Sequence, residues 1–205
     1  MFPRLEEANA DGLLAIGGDL SVARLLLAYR SGVFPWYEEG QPILWWSPDP
    51  RMVLEITEVR VSKSLRKIIR EATFSVTFNQ NFSEVIRQCA QIKRDGQSGT
   101  WITAEMQQAY KELHALGHAI SFEVWCDKQM VGGGYGIDLP EQKIFCGESM
   151  FSHVSNASKV GFVALVEELR IKGYQLIDCQ VYTQHLERFG AKEITREEFV
   201  KHLNG

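Results

Sequence analysis

From about Met52 onward, apolar positions recur at the spacing of regular secondary structure, and the chain can be read element by element. MVLEITE has the look of a short strand, and VSKSLRKIIREA that of a helix buried through Leu65, Ile68 and Ile69. FSVTF reads as a strand and NFSEVIRQCAQI as a helix. After the polar connection KRDGQSGTWIT, a helix opens at Thr103 and runs to Leu116, where Gly117 stops it. AISFEVWC, QMVGGGYGID and KIFCGES alternate, are rich in β-branched and aromatic residues, and include a turn at Asp127 and Lys128, which predicts an antiparallel meander. Gly132, Gly133 and Gly134 lie inside this strand pattern and signal a bulge or a ligand approaching the backbone closely. No helix follows them, so they are not a phosphate-binding loop.

The stretch from Ile144 to Val181 organises the chain: strand, polar loop, long helix, strand. Asn156 or Ser158 is placed to cap the helix, Val160, Val163, Ala164, Leu165, Val166 and Leu169 supply its apolar faces, and Gly173 ends it. A crossover helix returns the second strand parallel to the first. Glu148 is thereby brought toward Asp178 and Gln180, at the strand ends where open α/β sheets place ligands. Alternation puts Leu176, Asp178 and Gln180 on one face and Ile177, Cys179 and Val181 on the other. Two polar groups on one face of an apolar strand are either a polar rim or a site. TQHLERFGA then reads as a short helix, AKEIT as a final strand, and TREEFVKHL as a closing helix capped by Thr195.

The first ~50 residues have a different texture. A helix follows Ser21, with Leu25, Leu26 and Tyr29 on its apolar side and Gly32 as terminator. In the segment after it stand four of the six prolines (Pro35, Pro42, Pro48, Pro50) and three of the five tryptophans (Trp36, Trp45, Trp46). Proline excludes regular helix and restricts its neighbours, so a stiff, irregular surface is expected. Two of these tryptophans suit the cementing of a small N-terminal lobe. One in a rigid loop suits stacking on a nucleobase, worth ~1–3 kcal/mol per base. We divide the chain into a small N-terminal domain, 1–52, and a main domain, 53–205.

Composition narrows the classes. A length of 205 residues with 45% hydrophobic and 23% charged content fits an ordinary globular domain with a small appendage. No apolar run approaches a membrane span, and no basic segment precedes an apolar one at the N-terminus, so a cytoplasmic protein without a membrane partner is expected. Cys89, Cys126, Cys146 and Cys179 are scattered without metal or disulfide spacing, and His114 and His118 lack the glutamate of a zinc helix, so no metal is expected. A net charge of −4 argues for no nucleic acid by itself. Lys63, Arg66, Lys67 and Arg70, however, share one helix face, which is either a solvated surface or a dock for a phosphate backbone.

The order of elements is that of the N-acetyltransferase (GNAT-type) fold, an α+β mixed sheet with flanking helices. The glycines that hold the pyrophosphate of acetyl-CoA are missing from SMFSHVSNASK, so coenzyme A is not expected. The segments GLLAIGGDL, GVFPWY, ILWWSPDPR, GTWIT, AYKELHALGHAISFEVW, CGESMFS, NASK and LIDCQV, spread over nearly the whole chain, resemble those of leucyl/phenylalanyl-tRNA–protein transferases.

That resemblance implies transfer of Leu or Phe, with Met a further candidate, from charged tRNA to the α-amine of N-terminal Arg or Lys. Such transfer marks acceptors for N-degron degradation, and a monomer working without cofactor is implied. Leucyl-tRNA, phenylalanyl-tRNA and acceptor proteins are the implied partners. Asp178 is the implied group for holding or deprotonating the amine, with Gln180 orienting it and Glu148 pairing with the acceptor's cationic groups. Trp36 and Trp101 match positions about the terminal adenosine, Tyr110, Phe145, Phe162 and Ile177 match the donor pocket, and Lys63, Arg66, Lys67 and Arg70 match a cluster for the tRNA body. Gly134 stands where a larger apolar residue is expected, which implies a wider pocket. Two rivals remain: a thiol hydrolase built on Cys179, His153 and Asp178, and an RNA-binding module without transfer activity.

Overall fold

Two sheets carry the chain in the computed structural model, which describes residues 1–92 and 100–205. KRDGQSG, the bulk of the expected polar connection, lies outside the described residues, as does the first glycine of GTWIT. The smaller sheet holds β1 (Leu13–Ile16), β2 (Phe34–Pro35) and β3 (Leu44–Trp46) in the order β1-β3-β2, with α1 (Val22–Arg30) between its first two strands. The proline-rich segment is therefore more regular than expected. Pro35 ends the two-residue β2 beside β3, so the short pairing tolerates its missing N–H.

The larger sheet has seven strands: β4 (Arg51–Glu55), β5 (Ser75–Phe78), β6 (Ala119–Cys126), β7 (Gln129–Leu139), β8 (Ile144–Ser152), β9 (Leu176–Gln180) and β10 (Lys192–Ile194). Their order is β10-β4-β9-β8-β7-β6-β5. The meander β6-β7-β8 is antiparallel, and β9 returns parallel to β8 as expected, with Cys146 opposite Asp178. That register leaves Glu148 two residues beyond the last pair, at the end of β9.

The helices are α2 (Lys63–Arg70), α3 (Phe82–Gln91), α4 (Ala104–Ala115), α5 (Ala157–Ile171), α6 (Gln184–Glu187) and α7 (Arg196–Asn204). One core cluster joins residues of α1, α3, α4 and α7 to strand residues such as Ile144, Cys146 and Leu176. A second joins α5 and Leu65 of α2 to Phe122, Phe145, Ile177 and Cys179. The alternation read in β8 and β9 thus separates two cores on the two faces of the sheet.

Three local expectations are corrected. Neither Asn156 nor Ser158 caps α5 with its side chain. Asn156 takes a left-handed conformation, φ +68°, and Ser152 Oγ at the end of β8 accepts the Ser158 N–H at 3.2 Å. On α2, which packs against α5, Leu65 is buried and Ile68 half-buried, but Ile69 is 37% exposed. The run Gly132–Gly134 begins beside the irregularity of the β6–β7 ladder, which falls between Met130 and Gly132, and the approach it allows is by other protein groups instead of a ligand. It serves close approach: a Cβ on Gly132 would meet Ala157 of α5 at 2.9 Å, and one on Gly133 the Phe151 ring at 2.8 Å.

Candidate functional site

A cavity of about 470 Å³ opens where β8 and β9 end, walled by Phe145, Phe162, Leu165 and Ile177 and flanked by Trp36 and Trp101. Glu148 and Gln180 lie at its polar end. Glu148 keeps part of its surface toward the cavity and is otherwise enclosed by donors. Tyr29 donates its hydroxyl to Oε1 at 2.8 Å, Gln180 donates Nε2–H to the same oxygen at 2.7 Å, and Tyr110 donates to Oε2 at 3.1 Å. The two tyrosine hydroxyls also lie within hydrogen-bond reach of each other, so while Glu148 is ionised their two protons fill only two of these three contacts at a time. Desolvation raises the Glu148 pKa to about 7, against the three hydrogen bonds that favour its charge and with a smaller upward push from Asp178. Burial first, and then the Glu148 charge, hold both tyrosines well above their ordinary range, so they remain donors.

Asp178 is placed differently from the reading of its strand face. Its side chain is fully buried, and both oxygens are taken by Arg51: Nε donates to Oδ1 at 2.8 Å and Nη2 to Oδ2 at 2.7 Å. Asp178 borders the cavity, and direct contact with an attacking amine, the role expected of it, would compete with Arg51 for its oxygens. Gln180 also departs from the expected geometry. Its φ of +65° takes it out of strand conformation, so its side chain turns to Glu148 while that of Asp178 turns to Arg51.

The aromatic positions divide as well. Trp45 is buried and Trp46 half-buried, the cementing role, while Trp36 is 40% exposed at the cavity. Trp46 fixes Trp36 by donating Nε1–H to its carbonyl at 2.7 Å. Phe145, Phe162, Ile177 and Trp101 line the cavity, whereas Tyr110 sits beneath Glu148.

Gly134 does not line the cavity. A Cβ there would lie 2.7 Å from both the Phe122 ring and Met150, two residues that do line it. The glycine makes room for the ring, and its own missing side chain opens no extra space. Gly134→Leu is therefore expected to lower the melting temperature and to displace Phe122. Unchanged melting with a shifted donor preference would restore the wider-pocket reading.

Lys63, Arg66, Lys67 and Arg70 all present exposed heads on α2, with Lys67 paired to Glu71 at 3.7 Å. Lys63, Arg66 and Arg70 border a second, shallower depression floored by Val61, Ile69 and Val163. Val163 is one residue from Phe162, so α5 lies between this basic groove and the main cavity.

The thiol rival is not assembled. Burial pushes the Cys179 thiol far up, its Sγ faces the Ile177 carbonyl, and His153 Nε2 pairs with Gln88 Oε1 at 2.9 Å. Among the described residues, no group of three His, Cys, Asp or Glu is set to hold a metal ion, and no helix is long and apolar enough to cross a membrane.

The sequence reading missed Arg51 and Tyr29. Arg51 carried a signal, as a charge opening an apolar strand that could be matched to the lone acid of LIDCQV. Tyr29 carried none, because on α1 it has the spacing of an ordinary core position.

Comparison with known proteins gives two family models that match in tandem. "Leucyl/phenylalanyl-tRNA protein transferase N-terminal domain" covers residues 18–49 and "Leucyl/phenylalanyl-tRNA protein transferase" residues 53–204. A leucyl/phenylalanyl-tRNA–protein transferase of Flavobacterium johnsoniae is 60% identical over 202 residues, 98% of this chain and 94% of that one. That of Azotobacter vinelandii is 56% identical over 204 residues, 98% of this chain and 89% of its own. Among solved structures, L-PGS from Bacillus licheniformis aligns with 82% of this chain and 55% of its own at 10% identity and a TM-score of 0.45, too loose to inform the site.

Proposed function

This chain belongs to the leucyl/phenylalanyl-tRNA–protein transferase family, aminoacyltransferases acting from aminoacyl-tRNA on protein N-termini, and on that premise we propose how its cavity works. The cavity seats the aminoacyl-adenosine end of leucyl- or phenylalanyl-tRNA, and Glu148 receives the proton of the attacking amine. The observation that carries this reading is a carboxyl with a pKa near 7, bonded to Gln180, at the polar end of an otherwise apolar and aromatic cavity. Phe145, Phe162 and Ile177 take the Leu or Phe side chain, and Trp36 and Trp101 offer stacking faces to the adenine. The main domain is read as GNAT-type, since the meander β6-β7-β8 is followed by α5 and the parallel β9. We keep the division into a small N-terminal domain and a main domain, with the boundary moved from 52/53 to just before β4, which starts at Arg51, and we take the protein as a cytoplasmic monomer.

The donor is an ester, so the carbonyl is already activated and catalysis rests on positioning and proton handling. The acceptor's α-amine attacks the ester carbonyl, the C–N bond forms, and the bond to the ribose oxygen breaks. The amine gives up a proton to Glu148, which passes it on to the departing ribose oxygen, so the carboxyl ends the cycle as it began. A base near pKa 7 is matched to an α-amino group of ~7.7–8.0, which a fully exposed carboxylate of ~4.3 is not. Proton handling is assigned to Glu148 rather than Asp178 because Arg51 occupies both Asp178 oxygens. An acceptor bearing N-terminal Arg or Lys suits a site whose nearest side chains are acidic and amide.

Incubation with leucyl-tRNA and a peptide beginning with Arg tests the reading. Transfer to that peptide, and none to one beginning with Glu, is expected. Neutralising Lys63, Arg66, Lys67 and Arg70 together is expected to raise KM for leucyl-tRNA and flatten its salt dependence, while leucyl-adenosine is used normally. Equal losses with both donors would give the stripe a purely structural role.

A further inference from the structure

We propose that Arg51 is a positioning residue for the transfer, holding the end of β9 so that Gln180 meets Glu148. This inference rests on the assignment of Glu148 and Gln180 given above, and goes beyond it to a residue that touches neither substrate nor reacting atoms.

Arg51 opens β4 and is 1% exposed. Besides the two bonds to Asp178, its Nη1 donates to the Gly32 carbonyl at 3.1 Å, in the turn that follows α1. Its guanidinium lies between two rings, 4.8 Å from the Phe34 centroid on β2 and 4.6 Å from that of Phe199 on α7. One planar group therefore ties β9 to the small sheet and to the closing helix. A lysine carries the charge but not the fork that makes these contacts together.

Asp178 passes the restraint on. Its Oδ1, which accepts from Arg51 Nε, also accepts the backbone N–H of Gln180 at 3.0 Å. Gln180 needs such a hold. With φ +65° and the Val181 N–H bonded to the Cys179 carbonyl at 2.8 Å, it occupies the centre of a γ-turn of the rare, strained hand. Strain of this kind persists only where the surroundings over-determine it. Here it aims Gln180 Nε2 at Glu148 Oε1.

Charge adds a second consequence. The groups facing Glu148 are Tyr29 from α1, Tyr110 from α4, and Gln180 with the Asp178 charge from β9. Arg51 offsets the Asp178 charge. Without it, an unbalanced anion disfavours the ionised form of Glu148 and moves the acid limb of the rate profile to higher pH.

The test is steady-state transfer from leucyl-tRNA to an N-terminal-Arg peptide by Arg51→Lys and Arg51→Met across pH 6–9, with thermal melts and with Glu148→Gln alongside. Arg51→Lys is expected to stay folded, hold its KM for leucyl-tRNA and lose about 10- to 100-fold in kcat, the scale of a small misplacement. Its acid limb stays where it is in the wild type, because the charge is kept. Arg51→Met is expected to lose kcat as well and to shift that limb upward in pH. Wild-type kcat in folded Arg51→Lys overturns the proposal even if Arg51→Met does not fold, and so does a kcat loss no larger than the unfolded fraction. If Glu148→Gln is also fully active, the fault lies in the reading of the site; if it is inactive while Arg51→Lys is active, only the role of Arg51 falls.

Discussion

Glu148→Gln is expected to cut kcat by about 10²–10⁴-fold, the range for removing a general base, with affinity for leucyl-tRNA retained. Glutamine keeps the volume and can still accept from one tyrosine. It brings a donor against the Gln180 amide or the Tyr110 hydroxyl, and it cannot take a proton from the amine. The pH dependence separates these losses. With a carboxyl near pKa 7, wild-type kcat rises as pH rises through about 7 and then levels, since the base works only when deprotonated. In Glu148→Gln that limb is lost, and what remains is the titration of the acceptor's own α-amine at ~7.7–8.0. A residual rate that still titrates near pH 7 would move the proton to another group.

Stability should run the other way. The folded pKa of Glu148 lies above its value in the unfolded chain, so the folded protein holds the extra proton between about pH 4.5 and 7. The linked stabilisation is full below the unfolded value and is lost as pH rises through about 7. At pH 8 the wild type carries a poorly solvated anion that Glu148→Gln lacks. The inactive variant is thus expected to gain in melting temperature, relative to wild type, between pH 5 and pH 8. A flat difference over that range would mean that Glu148 is solvated, with the same pKa folded as unfolded. A group that costs stability while serving the reaction is what a site under functional constraint looks like.

The strand order around the site was legible because a crossover helix between two apolar strands has few topological outcomes. The parallel pairing of β8 with β9 follows from length and handedness alone, and it brings Glu148 to Gln180. What alternation cannot see is a residue that leaves the strand conformation. Gln180 belongs by count to the face of Asp178, yet its positive φ sends it elsewhere, and nothing in the letters LIDCQV marks that turn. Long-range partners were hidden for a similar reason. Tyr29 and Tyr110 lie 81 residues apart and occupy helix positions that any apolar residue could fill, so only the folded chain reveals that both hydroxyls are spent on Glu148. Gly134 misled in a different way. Its small size was read as space for a ligand, but the Phe122 ring and Met150 already fill it.

Asp178→Asn is expected to lose stability and rate together, and the proportion is what matters. The Asp178–Arg51 pair is desolvated on both sides, each side chain 1% exposed. Removing one partner of such a pair typically costs about 3–5 kcal/mol, because the other charge is left buried, and arginine does not shed its proton to escape. Asparagine also turns an N–H toward the Arg51 fork or toward the Gln180 amide, so at least one of these donors loses its acceptor. The turn at Gln180 then relaxes, and kcat falls by about 10- to 100-fold through displacement of Gln180 from Glu148. A base would behave otherwise. If Asp178 took the proton itself, its replacement would cost ~10²–10⁴ in kcat and erase the acid limb of the pH profile, whatever the melt showed. Paired with Arg51, Asp178 instead leaves that limb in place when replaced, moved slightly to lower pH because its charge no longer opposes ionisation of Glu148. Melting curves and kcat measured over pH 6–9 on the same preparation decide between the two, and loss of the limb would return the proton to Asp178.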